Sequence, residues 1–126
     1  MKTIHKTYRI HASVEKVWDA LMNPKSIEKW GGGRAVMSDK EDEAFSLWGG
    51  DIHGKNTRVV FRQTLKQDWY SGDWPEASKL KIALVGKNGM TILELIHENV
   101  PDKEAAGIDD GWDRYYLGPL KELLER

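Results

Sequence analysis

A chain of 126 residues, 40% hydrophobic and 31% charged, suits one domain, a length at which about two thirds of the unfolded surface is buried on folding. Its formal charge of -1 and pI near 6.4 exclude the clustered cationic surface that a polyanion requires, so nucleic acid is not an expected partner. The absence of cysteine excludes a disulfide framework, a thiol nucleophile and thiolate metal sites; with no signal-peptide core and no run of ~20 apolar residues, the expected setting is the cytoplasm, without a membrane span.

Thr3 to Ile10 alternates, with Ile4, Tyr8 and Ile10 on one side, and reads as a half-buried strand. Lys6 interrupts that inner row, marking either a wet pocket rim or an exposed strand end. Ser13 offers an N-cap to a helix whose stripe is Val14, Val17, Trp18 and Leu21, and Asn23-Pro24 ends it. Pro24 then starts a second short helix that runs to Trp30 and stops at Gly31-Gly32-Gly33. From Ala35 to Asp39 and from Ala44 to Trp48 the period becomes two, which predicts a hairpin across the charged turn Lys40 to Glu43. Asp51 to His53 and Thr57 to Phe61 supply strand material with a break at Gly54.

Thr64 to Tyr70 places Leu65, Gln67 and Trp69 on one face, and a loop bearing Trp74-Pro75 follows. Ser78 to Val85 and Met90 to Glu98 form a hairpin over Asn88-Gly89, with Leu80, Ile82, Leu84, Leu93, Leu95 and His97 inward. The last stretch carries Ile108, Trp112, Tyr115, Tyr116, Leu120, Leu123 and Leu124 at helical spacing, one apolar stripe along Ile108 to Arg126. Pro119 removes its bond to the Tyr115 carbonyl and predicts a kink, while Gly111 allows a backbone to approach. A twisted meander of about six to seven strands, wrapped around this long helix, gives an α+β fold.

Several fragments carry a resemblance over essentially the whole chain. Val17-Trp18-Asp19-Ala20-Leu21, Trp30, Phe45 to Gly54, Trp69, Asp73-Trp74-Pro75, Gly89 with Thr91, Val100-Pro101, Gly111-Trp112 and Pro119-Leu120 resemble the SRPBCC (START/Bet v 1-like) superfamily. Within it they resemble the branch named after the C-terminal domain of the activator of Hsp90 ATPase. The resemblance implies a helix-grip fold with a deep apolar cavity between sheet and last helix. Asp42, Glu43 and Ala44 stand where relatives often have glycines, so that turn is expected to differ. No counterpart of the eukaryotic activators' separate N-terminal domain is recognisable, which weakens any transfer of chaperone activation.

An apolar space with a few polar groups is the makeup of a small-molecule site. Its candidate lining is Trp18, Trp30, Phe45, Gln67, Trp69, Ile82, Leu84, Leu93, Leu95, His97, Trp112, Tyr115 and Tyr116, with Trp30 and Trp74 at the mouth; the ordinary alternative is that these side chains fill a core. His97 suits a general acid or base near neutral pH, or a core histidine bonded to Tyr115, Tyr116 or Gln67. No histidine has metal-ligand spacing, and the glycines at 31 to 33 lack the lysine of a phosphate loop, so neither metal nor cofactor is expected. The expected function is non-enzymatic binding of a small hydrophobic, lipid-like or aromatic molecule. A stress-related module binding a chaperone, and a cyclase- or hydrolase-like enzyme using His97, are the alternatives.

Overall fold

The computed structural model describes Met1–Arg126. Strand β1 (Lys2–Ile10) leads into helix α1 (Val14–Met22), where the Ser13 hydroxyl accepts from the Lys16 N–H as an N-cap. Asn23 both ends α1 and caps α2 (Pro24–Trp30), its side-chain oxygen accepting from the Lys25 N–H at 3.0 Å. Strands β2 (Ala44–Leu47), β3 (Ile52–Val60), β4 (Thr64–Ser71), β5 (Ser78–Lys87) and β6 (Met90–Val100) follow, each antiparallel to the next. Strand β1 closes onto β6, so the order is β1-β6-β5-β4-β3-β2 and the two helices carry the chain from one edge to the other. The turn between β5 and β6 has positive φ at both Asn88 and Gly89, the geometry an Asn-Gly pair favours.

Three local expectations fail, each for a visible reason. Ala35 to Asp39 forms no strand, only one bridge between Val36 and Ser46. A side chain takes the place of a partner strand: the buried Asn56 amide donates to the Ser38 carbonyl at 2.8 Å and to that of Lys40, in the following turn, at 3.3 Å. Gly54 does not break β3; it lets the neighbouring strand come close, for a Cβ there would lie 1.9 Å from the Asp68 carbonyl oxygen. Lys6 lies neither at a pocket rim nor at a free strand end, because it reaches from β1 to Asp109 at 2.7 Å and Asp113 at 2.8 Å on the final helix.

That helix starts three residues earlier than Ile108. It comprises α3 (Ala105–Gly111), a π-helical turn (Trp112–Tyr116) and α4 (Leu117–Leu124). In the π turn the Leu117 N–H bonds the Trp112 carbonyl five residues back. The wide turn sits just ahead of Gly118-Pro119, where a regular α-helix would set the proline ring against the Tyr115 carbonyl. The close backbone approach is at Gly118, where a Cβ would lie 2.0 Å from the Asp113 oxygen; at Gly111 a Cβ would meet nothing nearer than Tyr115 Cδ2 at 4.0 Å. The extra residue also changes the phase of the stripe. Trp112, Tyr116, Leu117 and Leu120 face inward, while Tyr115, expected among them, is 59% exposed. No helix is long and apolar enough to cross a membrane.

Candidate functional site

Between the sheet and α4 there is no deep cavity. Leu65, Ile82, Leu93, Leu95, Leu117 and Leu120 all have zero exposure and close that interior. Open space survives at one end, where β3 begins, β4 ends and the first half of the final helix passes over: a cleft of ≈ 330 Å³. Its helix side is Gly107, Ile108, Gly111, Trp112, Tyr115 and Tyr116, one face of two and a half turns. Its sheet side is Trp48, Asp51, Ile52 and Trp69. The two glycines make the room, since nothing lies within 4 Å of a Cβ built on Gly107.

Of the residues singled out from sequence, Trp69, Trp112, Tyr115 and Tyr116 meet on this wall. Trp30 backs it without reaching it, packed 4.8 Å from the Tyr116 ring with its indole N–H donated to the Ala20 carbonyl; at 5% exposure it is not a mouth residue. Trp74, the other expected mouth residue, packs 5.9 Å from the Trp69 ring and does not line the cleft. Phe45, Ile82, Leu84, Leu93, Leu95 and Gln67 belong to the filled interior, and Trp18 packs edge-on to Phe61 at 6.3 Å, away from the cleft. Five of the six tryptophans nevertheless form one connected group around Tyr116.

His97 lies directly behind the cleft wall. Trp112 Nε1 donates to its Nδ1 at 3.0 Å, and its Nε2 is 2.7 Å from the Ser78 hydroxyl, which itself donates to the Trp69 carbonyl at 2.6 Å. One proton assignment satisfies all three contacts: His97 is neutral, with its hydrogen on Nε2 donated to Ser78. Burial pushes its pKa from 6.5 down to about 4. Both ring nitrogens are therefore engaged, and the role this geometry fits is to hold Trp112 and Trp69 in register, not to exchange protons with a substrate. The partners differ from the tyrosines or Gln67 expected of a core histidine.

Trp48, Asp51, Ile52, Gly107, Ile108 and Gly111 line the cleft outside the expected set, and of the residues the sequence reading missed, Ser78 and Trp48 left a signal that could have found them. Ser78 shares the inward parity of Leu80 and Ile82 and sits opposite Trp69, and that parity was the available signal. Trp48 looked like the end of a strand. It has a positive φ of 52°, followed by positive φ at Gly49 and Gly50, and its indole N–H is donated to the Gly31 carbonyl at 2.7 Å, so the run of glycines after α2 anchors one side of the cleft. The Trp-Gly-Gly triplet was the signal there. No group of three or more histidine, aspartate or glutamate side chains is placed to hold a metal ion.

The family model described as Activator of Hsp90 ATPase homolog 1-like protein matches residues 11–125. The chain belongs to the Activator of Hsp90 ATPase homolog 1-like family. It is similar to the human Activator of 90 kDa heat shock protein ATPase homolog 1, 26% identical over 93% of this chain but 32% of that protein, so it spans about a third of the curated relatives it matches. The crystal structure of PFC0360w, an HSP90 activator from Plasmodium falciparum, has the same fold, with a TM-score of 0.90 at 22% identity over 99% of this chain and 97% of that one. The Aha1 dimer of Colwellia psychrerythraea superposes with a TM-score of 0.84 at 22% identity, covering 99% of this chain and 97% of that one. The helix-grip, START-like fold implied by the resemblance is thus the fold of this family member, and its open space is narrower and nearer the surface than the resemblance implied.

Proposed function

We propose that this protein binds a small hydrophobic molecule, with the cleft beneath the first half of the final helix as its seat. The observation that carries the reading is the cleft itself: ≈ 330 Å³ walled by Trp48, Trp69, Trp112, Tyr116, Ile52 and Ile108, within the ~300–1,000 Å³ typical of ligand pockets. Tryptophan and tyrosine faces offer offset stacking to a planar ligand, which favours a ring-bearing molecule over a flexible acyl chain. Titrating a library of aromatic and aliphatic compounds while following backbone and indole N–H resonances tests it. Shifts concentrated at Trp48, Trp69 and Trp112 are expected; their absence across the whole library would reject the reading.

A second reading is interaction with an Hsp90-type chaperone. It is supported by the family match and by relatives described as HSP90 or heat-shock-protein ATPase activators. Its test is the ATP turnover of an Hsp90 from the same source with and without added protein. Stimulation supports it, and unchanged turnover together with no co-elution removes it. The two readings have separate readouts, because resonance shifts report a ligand in the cleft and ATP turnover reports engagement of the chaperone.

A further inference from the structure

We infer that the cleft selects a neutral, planar aromatic molecule carrying an oxygen acceptor, held by the indole N–H of Trp69 and the hydroxyl of Tyr116. This rests on the cleft being a ligand site and names what chemistry it takes. Only three buried side-chain polar atoms have no hydrogen-bond partner, and two of them, Trp69 Nε1 and the Tyr116 hydroxyl, belong to cleft-lining residues. The third, the Gln67 oxygen, lies elsewhere, beside the Asn56 side chain.

The contrast with the other indoles is informative. Trp30 donates to Ala20, Trp48 to Gly31 and Trp112 to His97; Trp18 and Trp74 donate to no protein acceptor either, but Trp69 alone has an indole N–H both sealed from water and unpartnered. Trp69 and Tyr116 both pack on Trp112, with ring centroids 5.6 Å and 4.6 Å from it. An indole N–H can only donate, so its complement is an acceptor; burial raises the Tyr116 pKa, so that hydroxyl keeps its proton and donates as well.

Charge narrows the class further. No lysine or arginine lines the cleft, and Asp51 is its only ionisable carboxylate, so an anionic ligand would lose hydration without gaining a counter-ion. A ketone or similar uncharged oxygen has no such penalty. Both orphan atoms are sealed from water, so the rings must part for an acceptor to reach them. The helix side is the wall that must give: α3 has no buried residue and is tied to β1 by the Lys6–Asp109 pair, whereas Trp112 and Tyr116 in the π turn are buried.

The full chain is titrated with 9-fluorenone and with fluorene, equal in shape and differing by one carbonyl. Fluorenone is expected to bind about tenfold tighter, equivalent to about 1.4 kcal/mol, and to move the Trp69 indole proton downfield where fluorene does not. Trp69→Phe and Tyr116→Phe each bring the ratio of the two affinities toward one, the ratio being read within each variant because the lost ring surface weakens both probes alike. Tyr116→Phe, which removes an unpaired hydroxyl, melts at the same temperature as the parent or higher; a clear fall would mean that the hydroxyl already has a partner, and would overturn the inference. Equal affinity for the two probes, with cleft resonances shifting for both, overturns it as well and leaves the ligand site standing. No response to either removes both.

Discussion

The proton on Nε2 of His97 is what ties two tryptophans to one strand. A second proton would put an N–H where Trp112 already donates one, so acid strikes this contact directly. With an ordinary pKa of 6.5 in the unfolded chain and about 4 in the fold, the unfolded state binds more protons between those values. The contribution is therefore complete above pH 6.5, declines as the pH falls toward 4, and amounts to roughly 3 kcal/mol in total. Chemical denaturation across this range should show the slope in the parent and lose it in His97→Gln. Ser78→Ala leaves the His97 N–H without an acceptor and should cost about 1–3 kcal/mol at pH 7 by the same measurement. That His97 faces inward was legible, since strand parity alone decides it. Its partners were not, because Ser78 and Trp112 are 19 and 15 residues away and meet it only through sheet register and helix docking.

The final helix is the element on which most depends, and it is held at two kinds of contact. Its apolar face packs through Trp112, Tyr116, Leu117 and Leu120, while Asp109 and Asp113 bind Lys6, and Asp113 also accepts from the Tyr8 hydroxyl. Burial works to raise the Asp113 pKa, but the bonds from Lys6 and Tyr8 and the lysine charge outweigh it and hold the carboxyl below its usual 3.8. Burial likewise works to lower Lys6, and its two aspartates raise it above 10.5. A depressed carboxylate stabilises above its unfolded pKa, and a raised lysine stabilises below its own, so the clip contributes from about pH 4 to pH 10. Asp113→Ala should lower stability by about 1 kcal/mol or less in that window, given its exposure to solvent, and thermal melts should show the gap to the parent closing below pH 3.8. Gly118→Ala drives a methyl into the Asp113 carbonyl and should cost about 1–3 kcal/mol, with disruption of the π turn visible as shifts at Tyr115 and Tyr116. The helix was plain from its spacing. The π turn was signalled only as a kink at Pro119, because where a helix absorbs a proline depends on what each neighbouring residue packs against.

For the molecule as a whole, the useful variant is one that fills the cleft without disturbing the core. Gly111 has ordinary helical backbone at φ -61° and open space beside it, so Gly111→Leu should fold and gain up to about 1 kcal/mol from helix propensity. It should also abolish ligand-induced shifts at Trp69 and Trp112; retained binding would place the ligand elsewhere. The strands, the two short helices, the long helix and their order follow from periods of two and 3.6 and from caps and turns, all properties of neighbouring residues, so sequence by itself determined them. It determined too that the aromatic side chains would gather inside. Whether they would enclose a space or fill it was decided only by the folded chain, because packing is a sum over partners distant in sequence. Leucines from β4, β5, β6 and α4 meet and close the middle, whereas two glycines on α3 face Trp48 and Trp69 and leave one end open.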